Sequence, residues 1–408
     1  MNLDLPNGAT AMPLRIGVIG LGRAFTLMLP TFLRDPRVQL VAATDPIEGA
    51  RRQFEKDFFA PTFDSVANLC AHPSVQAVYI ASPHQFHAEH VGIAASHGKH
   101  VLVEKPMALT VAECTQMIEA TQRAGVHLIV GHSHSFNRPI LRTREIIDSG
   151  VYGAVKMVTA FNYTDFLYRP RRPEELDTAA GGGVVYSQAA HQIDIVRLLA
   201  GGQVCSVRAH TGAWDALRPT EGAYSALLAF EGGAFASATY SGYGHFDSDE
   251  LMGQIGEMGQ TKTAADYGAS RRGRQAAGPD ADEPAIKAAR NYGGSAYVPP
   301  SSAVPPMAHQ HFGHIVVSCE KADLKPDATG VTIYADLDKR IDALSPPGIA
   351  RVEVIDELIA AVAHGTPPVH SGQWARATLE VCLAILESSR KGVDIRPSMQ
   401  VGLPSRPL

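Results

Sequence analysis

The sequence predicts an α/β protein of two domains, the first on a parallel sheet and the second an α+β domain with a large, mostly antiparallel sheet. Three observations carry this. Short apolar runs alternate with helical patterns over the first 150 residues; a glycine-rich turn joins the first run to the first helix; beyond residue 150, alternating strand patterns and glycine turns take over.

In chain order, residues 1–12 read as a loose polar tail, and Leu14–Gly20 (LRIGVIG) as a buried strand followed by a helix from about Ala24 to Leu33. Val38–Thr44 is a second strand, ending at Asp45, with a helix over Glu48–Phe58. Ala77–Ala81 is a third strand with a helix over Ala88–Ser96, and His100–Glu104 a fourth with a helix over Val111–Arg123 that Gly125 stops. His127–Val130 is a fifth. These strands are apolar throughout, as expected when crossover helices cover both faces of a parallel sheet. Strand patterns then recur at 155–163, 204–213, 223–230 and 234–241, with Glu231-Gly-Gly233 as a hairpin signal. A glycine-rich start and a helical pattern interrupt them at 181–200. Residues 261–310, rich in Gly, Ala, Ser, Pro and Arg, read as a long irregular insertion. A strand pair is expected at 311–342 and amphipathic helices at 352–364 and 373–391. The resulting division is a first domain over 13–150 and a second over 151–408.

Composition excludes several classes. The net charge of −5 leaves no basic footprint for nucleic acid, and no basic run addresses a membrane surface. No apolar stretch reaches the roughly 18 residues of a membrane helix. The N-terminus lacks a signal-peptide pattern, and the five scattered cysteines contain no CxxC pair, so reduced thiols and a cytoplasmic protein are expected.

Gly17-Val-Ile-Gly20-Leu-Gly22-Arg23-Ala24 is a tight turn between a strand and a helix. Glycines there let a pyrophosphate approach the backbone, and the helix N-terminus supplies N–H donors and positive dipole. The third glycine of the dinucleotide fingerprint is replaced by Phe25, which removes the usual close approach of helix to strand. Asp45, closing the second strand, is placed to accept hydrogen bonds from ribose hydroxyls and to repel a 2′-phosphate, favouring NAD over NADP. Its other role is to cap the helix that follows. The first domain is thus expected to be an NAD-binding Rossmann domain.

Further along stand Ala81-Ser82-Pro83-His84-Gln-Phe-His87-Ala-Glu-His90, then Glu104-Lys105-Pro106, then Gly181-Gly-Gly183 with His191-Gln-Ile-Asp194. In this order, after the glycine turn, they resemble the Gfo/Idh/MocA oxidoreductases, the family of glucose–fructose oxidoreductase and inositol dehydrogenase. The resemblance covers about residues 14–245 and 351–397. It implies an NAD-dependent oxidoreductase with Lys105 and His191 as catalytic groups, and a cis peptide before Pro106 aiming the lysine. It implies cofactor contacts from Gly20, Gly22, Arg23, Ala24, Asp45, Ser82, His84, His87, Glu104 and Lys105. An ammonium at the carboxyl edge of the sheet suits a developing alkoxide, and an imidazole suits the hydroxyl proton. The resemblance also implies an acid four residues before the histidine. This chain has Ser187 there, after Tyr186, which departs from the inositol- and glucose-type arrangement. Asp194, one helical turn beyond His191, either orients it or pairs with Arg197. His84, His87 and His90 lack the companions of a metal site, so no metal is expected.

His132 and His134 follow the fifth strand and are candidate substrate contacts. Arg169, Arg171 and Arg172 are candidate carboxylate ligands, or a charged surface loop. The segment Tyr168–Asp177 that holds them, the Ser187-Gln188 variant of the histidine helix and the insertion together resemble the phthalate 4,5-cis-dihydrodiol dehydrogenase subgroup, and Tyr186 and Ser187 are candidate substrate contacts that could share the proton chemistry. This implies hydride transfer from a cyclic alcohol or cis-dihydrodiol, a small-molecule substrate. The same scaffold also serves sugar and inositol dehydrogenases and NAD-assisted glycoside hydrolases; a non-catalytic nucleotide sensor fits Lys105 and His191 less well. An uncovered antiparallel sheet would suit a homodimer or homotetramer.

Overall fold

A computed structural model describes residues 12–299 and 307–403. The expected tail therefore lies outside the described residues except for Met12, as does part of the insertion. The first half runs β1 (Leu14–Ile19), α1 (Arg23–Arg34), β2 (Val38–Thr44), α2 (Glu48–Phe58), β3 (Thr62–Phe63), α3 (Val66–Ala71), β4 (Ala77–Ile80), α4 (His87–Ser96), β5 (His100–Val103), α5 (Val111–Ala124), β6 (Leu128–Val130) and α6 (Arg138–Asp148). Its strands form one parallel sheet in the order β3-β2-β1-β4-β5-β6. That is the doubly wound Rossmann order, and chain direction across the sheet reverses between β1 and β4, where such folds bind ligands. The sequence did not reveal β3, which is only two residues long.

Local chemistry explains the helix limits. Thr110 Oγ1 accepts from the Glu113 N–H (3.1 Å) and the Glu113 carboxylate accepts from the Thr110 N–H (2.9 Å), a reciprocal cap that starts α5. Gly125, left-handed at φ 65°, ends it.

The second sheet uses β7 (Val155–Tyr163), β8 (Val204–Gly212), β9 (Ala223–Phe230), β10 (Phe235–Ser241), β11 (His314–Cys319), β12 (Ala322–Asp327), β13 (Gly330–Ala335) and β14 (Lys339–Ala343). Their order is β14-β13-β12-β11-β7-β10-β9-β8, antiparallel except for the parallel β10–β7 pair. The strand pair expected at 311–342 is thus four strands. Three reversals make them: a tight turn at Glu320-Lys321, an Asx turn in which Asp327 Oδ1 accepts from the Thr329 N–H (2.9 Å), and a turn in which the Asp338 carbonyl accepts from the Ala335 N–H (2.9 Å). Between β7 and β8 lies α7 (Ala190–Ala200), entered through a π-helical turn over Val185–Ala189.

The insertion is not wholly irregular. It contains α8 (Ala269–Ala277) and α9 (Glu283–Ala289), and Asp282 caps α9 by accepting from the Ala285 N–H (2.9 Å). The chain closes with α10 (Val352–His364) and α11 (Gly372–Lys391). Val354, Ile355 and Leu358 of α10 are buried with α1 and Phe54 of α2 against the first sheet, so this helix returns to the N-terminal core although the sequence grouped it with the second domain. On the other face α3, α4 and α5 pack with Leu379 of α11. α7 and α11 fill the core of the second sheet. Among the described residues no helix is long and apolar enough to cross a membrane.

Candidate active site

A cavity of about 1380 Å³ opens at the carboxyl ends of β1, β4 and β5 and extends to the second sheet. Gly20 can only be glycine: at φ 92°, a Cβ there would lie 2.7 Å from the Ser82 amide nitrogen. Gly22 differs. An added Cβ would meet nothing within 4 Å, because Gly22 faces the cavity at the N-terminus of α1. Arg23 and Ala24 line the same end. Unfilled backbone N–H groups, a cationic side chain and room for an anion are what a pyrophosphate needs.

Asp45, also in the lining, accepts from the Leu21 N–H (2.7 Å) and the Ile47 N–H (2.8 Å). It therefore ties the glycine turn to the start of α2 from a place on the cavity wall. Phe25, at the position of the fingerprint's third glycine, is fully buried and packs edge-on against Tyr292 of the insertion (5.1 Å) and near Phe54 (6.3 Å). Aromatic packing from α2 and the insertion thus anchors this end of α1 in place of a glycine's close approach to the strand.

The insertion spans the cleft. Arg218 grips Glu283 through two hydrogen bonds (2.8 and 3.0 Å), and Lys287 pairs with Glu175. At the other end the Tyr292 hydroxyl donates to Asp57 (2.7 Å). Arg290 is thereby brought to the cavity wall.

Lys105 Nζ donates to the Ser187 carbonyl (2.8 Å), and the Lys105–Pro106 peptide is cis, as the resemblance implied. Burial, with Arg351 and Arg171 nearby, lowers the ammonium to about 8 against the pull of Glu104 and Glu257. Glu104 accepts from the Tyr79 hydroxyl (2.6 Å), and burial raises its carboxyl. His87 bridges two loops, with Nε2 2.9 Å from the Ser82 carbonyl and Nδ1 3.1 Å from the Pro106 carbonyl. His84 lies against Gly181, with its Nε2 buried and without a hydrogen-bond partner among the described residues. Burial lowers both imidazoles to about 4. His90 bonds Ser82 Oγ (2.9 Å). Among the described residues no three His, Cys, Asp or Glu side chains converge as metal ligands.

His132, His134 and His191 meet on the second-sheet side. Asn137 lies 3.1 Å from His132 Nε2 and 2.9 Å from His134 Nδ1, and His134 Nε2 is 3.1 Å from Glu257. The His134 and His191 rings are 4.7 Å apart, near perpendicular. His191 makes no hydrogen bond among the described residues, and its Nδ1 is buried. Burial, then Lys105, pushes its imidazole well below the ordinary range.

The three arginines prove unequal. Arg171 stacks 3.7 Å over Phe166 and pairs with Glu175, and Arg172 pairs with Glu174 (2.9 Å). Arg169 lines the cavity, and its guanidinium makes no hydrogen bond or ion pair among the described residues. Ser187 lines the cavity too, its hydroxyl turned to the Gly183 carbonyl.

Two expectations need correction. Tyr186 is outside the lining, its hydroxyl donating to the Leu109 carbonyl (3.2 Å). Asp194 neither orients His191 nor faces the cavity. It accepts from Trp374 Nε1 (2.6 Å), Thr378 Oγ1 (2.7 Å) and Ser135 Oγ, because α7 turns that carboxylate toward α11. Conversely, the sequence did not single out Asn137, Glu257, Arg290 or Arg351. Glu257 sits in an unpatterned loop, and Arg351 in a left-handed residue (φ 56°) that only the fold brings to the cavity.

Residues 14–132 match the profile of the GFO/IDH/MocA oxidoreductase family, NAD-binding Rossmann fold, and residues 140–260 match the GFO/IDH/MocA C-terminal domain. The chain is 51% identical, over 92% of its length and 95% of the relative's, to the 1-carboxy-3-chloro-3,4-dihydroxycyclohexa-1,5-diene dehydrogenase of Comamonas testosteroni. A solved structure from Bordetella bronchiseptica RB50, given as a dehydrogenase, superposes with TM-score 0.88 at 44% identity, covering 94% of this chain and 100% of that one. The WlbA dehydrogenase of Bordetella pertussis, solved with NADH and UDP-GlcNAcA, shares the fold (TM-score 0.64, 21% identity, covering 94% and 98%).

Proposed function

The chain belongs to the Gfo/Idh/MocA family of NAD-binding oxidoreductases, and from that premise we propose that it oxidises a carboxylated cyclohexadiene cis-diol, of the phthalate 4,5-cis-dihydrodiol type, to a catechol carboxylate. The observation that carries this reading is the 51% identity to a dehydrogenase named for such a carboxylated diol. Arg169, a cavity-wall cation with no ion-pair partner among the described residues, supports it.

NAD, when bound, accepts the hydride. In the proposed arrangement Gly20, Gly22, Arg23 and Ala24 receive its pyrophosphate and Asp45 its ribose, while Ser82, His84, His87 and Glu104 shape the nicotinamide side. Lys105 donates a hydrogen bond to the reacting oxygen and stabilises the developing alkoxide. The His191 imidazole, which makes no hydrogen bond among the described residues, takes the hydroxyl proton as the carbon–hydrogen pair leaves with its electrons. The carbon–oxygen bond becomes a carbonyl, and the hydroxydienone loses a ring proton and gains an enol hydroxyl to become aromatic. Arg169 holds the ring carboxylate by charge-assisted hydrogen bonds, with Arg171, Arg172, His132, His134 and Ser187 shaping the wall.

The test is NADH formation from a panel of carboxylated cis-dihydrodiols, uncarboxylated cis-dihydrodiols, inositols and aldoses. Turnover of the carboxylated diols is expected; turnover of inositols or aldoses alone would reject the assignment. In the same assay Arg169→Ala is expected to raise KM for a carboxylated diol about 10–100-fold, the loss of one or two charged hydrogen bonds. An unchanged KM would remove Arg169 from the carboxylate site. Asp45→Ser is expected to weaken NAD by roughly tenfold, about 1.4 kcal/mol, and to narrow the gap to NADP. Fluorescence titration of both cofactors measures this, and identical affinities in wild type and variant would contradict the ribose role.

Among the described residues, one face of the second sheet is uncovered, and Leu227, Phe235, Tyr334 and Ile341 are exposed there in register-matched strands. This supports a homodimer or homotetramer through that face. The five unpaired cysteines support a cytoplasmic setting. Light scattering and cell fractionation read these two directly; a monomer mass or a secreted protein would reject them.

A further inference from the structure

We propose that Glu257, acting through His134, is the carboxylate that sets the proton affinity of the hydride-transfer site, and is therefore a positioning residue for its acid–base chemistry. This rests on the dehydrogenase reading above. The starting point is an imbalance of charge. Hydroxyl oxidation releases a proton into a cavity that already holds the Lys105 ammonium and the Arg169 and Arg351 guanidinium groups. Among those cations a newly protonated imidazole is unstable unless an anion lies against it.

Ser187 supplies no charge, since it is neutral and its hydroxyl is committed to the Gly183 carbonyl. Asp194 is turned to α11. Glu104 accepts from the Tyr79 hydroxyl and supports the Lys105 ammonium, and its side chain makes no hydrogen bond to the imidazoles among the described residues. Among the described residues, Glu257 is the one carboxylate hydrogen-bonded to the cluster of His132, His134 and His191.

The hydrogen bonds fix a direction. Glu257 accepts only, so His134 carries its proton on Nε2 (3.1 Å), and His134 Nδ1 accepts from the Asn137 amide (2.9 Å). That orders the ring whose near-perpendicular neighbour, 4.7 Å away, is His191. The groups facing Glu257 come from every surrounding element: His134 beyond β6, Lys105 beyond β5, Arg169 beyond β7, Tyr240 on β10, His311 before β11 and Arg351 at the start of α10. Burial pushes the Glu257 carboxyl up, and His134, Arg169 and His311 outweigh it, holding it ionised down to about 2. Its negative charge is therefore fixed across the working pH range. It favours the protonated form of Lys105 and of His134, opposing the burial that lowers them, and reaches His191 through the His134 ring beside it.

Glu257→Gln tests this, because the amide oxygen can still accept from His134 while the charge is gone. With the charge removed, protonated Lys105, His134 and His191 are less stable, so their ionisations fall. In the NAD-dependent oxidation, kcat is expected to drop ~10–100-fold and both limbs of the pH–rate profile to move acidic by about one unit. Glu257→Asp should restore part of each. Histidine-selective NMR titration of the full-length protein gives the same reading without a substrate: the His134 and His191 resonances should titrate at lower pH in Glu257→Gln. Lower activity with unmoved limbs and unmoved imidazole titrations would overturn the inference and reduce Glu257 to a structural role. Failure of the wild-type protein to oxidise any diol would overturn the functional reading instead, and the NMR titration would still decide on Glu257.

Discussion

Replacing Lys105 with alanine is expected to lower kcat by about 10²–10³-fold, the range for removing one donor from a developing oxyanion, while NAD affinity stays within a few-fold. The ammonium sits at the carboxyl edge of β5, buried, and donates a hydrogen bond across to the Ser187 carbonyl at the entrance to α7. Held at about 8 by burial, it is mostly charged at neutral pH and still close enough to its ionisation to share a proton. Alanine removes the donor and leaves Ser187 and Glu104 facing a neutral gap. The glycine turn, Arg23 and Asp45 are untouched, so cofactor titration by fluorescence should distinguish lost chemistry from lost binding. Unchanged turnover in Lys105→Ala would reject the catalytic assignment.

The largest loss of stability is expected from Asp194→Ala. This carboxylate accepts from Trp374 Nε1, Thr378 Oγ1 and Ser135 Oγ, and Thr378 also accepts from the fully buried Arg197 guanidinium (2.7 Å). Arg197 stacks 4.0 Å over the Trp374 ring and donates to the Trp374 and Gly202 carbonyls. Deleting the anion orphans three buried donors and removes a negative charge near the Arg197 guanidinium, a change that costs about 3–5 kcal/mol at ~1–3 kcal/mol per unsatisfied group. At ~2–4 °C per kcal/mol that is roughly a 10 °C fall in Tm, measurable by calorimetry. Activity at low temperature should survive, since Asp194 does not line the cavity. A variant that keeps its Tm and loses turnover would return Asp194 to the active site.

Much of the first sheet was legible because its physics is local. Apolar strands, a helix stop such as Gly125 and a glycine turn each leave a pattern within a dozen residues. The cavity residues that follow strand ends, such as Asp45, Lys105 and His132, were legible for the same reason: strand ends locate the binding edge. What failed depended on long-range packing. Asp194 shares a helix with His191, yet only the approach of α11 decides where its carboxylate points. Phe25 looks like a damaged fingerprint until Tyr292, far along the chain, is seen against it. Glu257 and Arg351 lie in segments without periodicity and reach the site only because the second sheet and α10 fold back on the first. The three arginines are indistinguishable in sequence; acids at 174 and 175 neutralise two of them and leave Arg169 to the cavity.

The central claim is that a dinucleotide lies across the glycine turn with its reactive ring between Lys105 and His191. A crystal structure of the protein with NAD bound tests it most directly. The pyrophosphate should rest on the N-terminus of α1, the ribose on Asp45, and the nicotinamide against the pocket where Lys105 and His191 both face it. A nicotinamide lying away from those two side chains, with the pyrophosphate elsewhere than at Gly20–Gly22, would contradict the account.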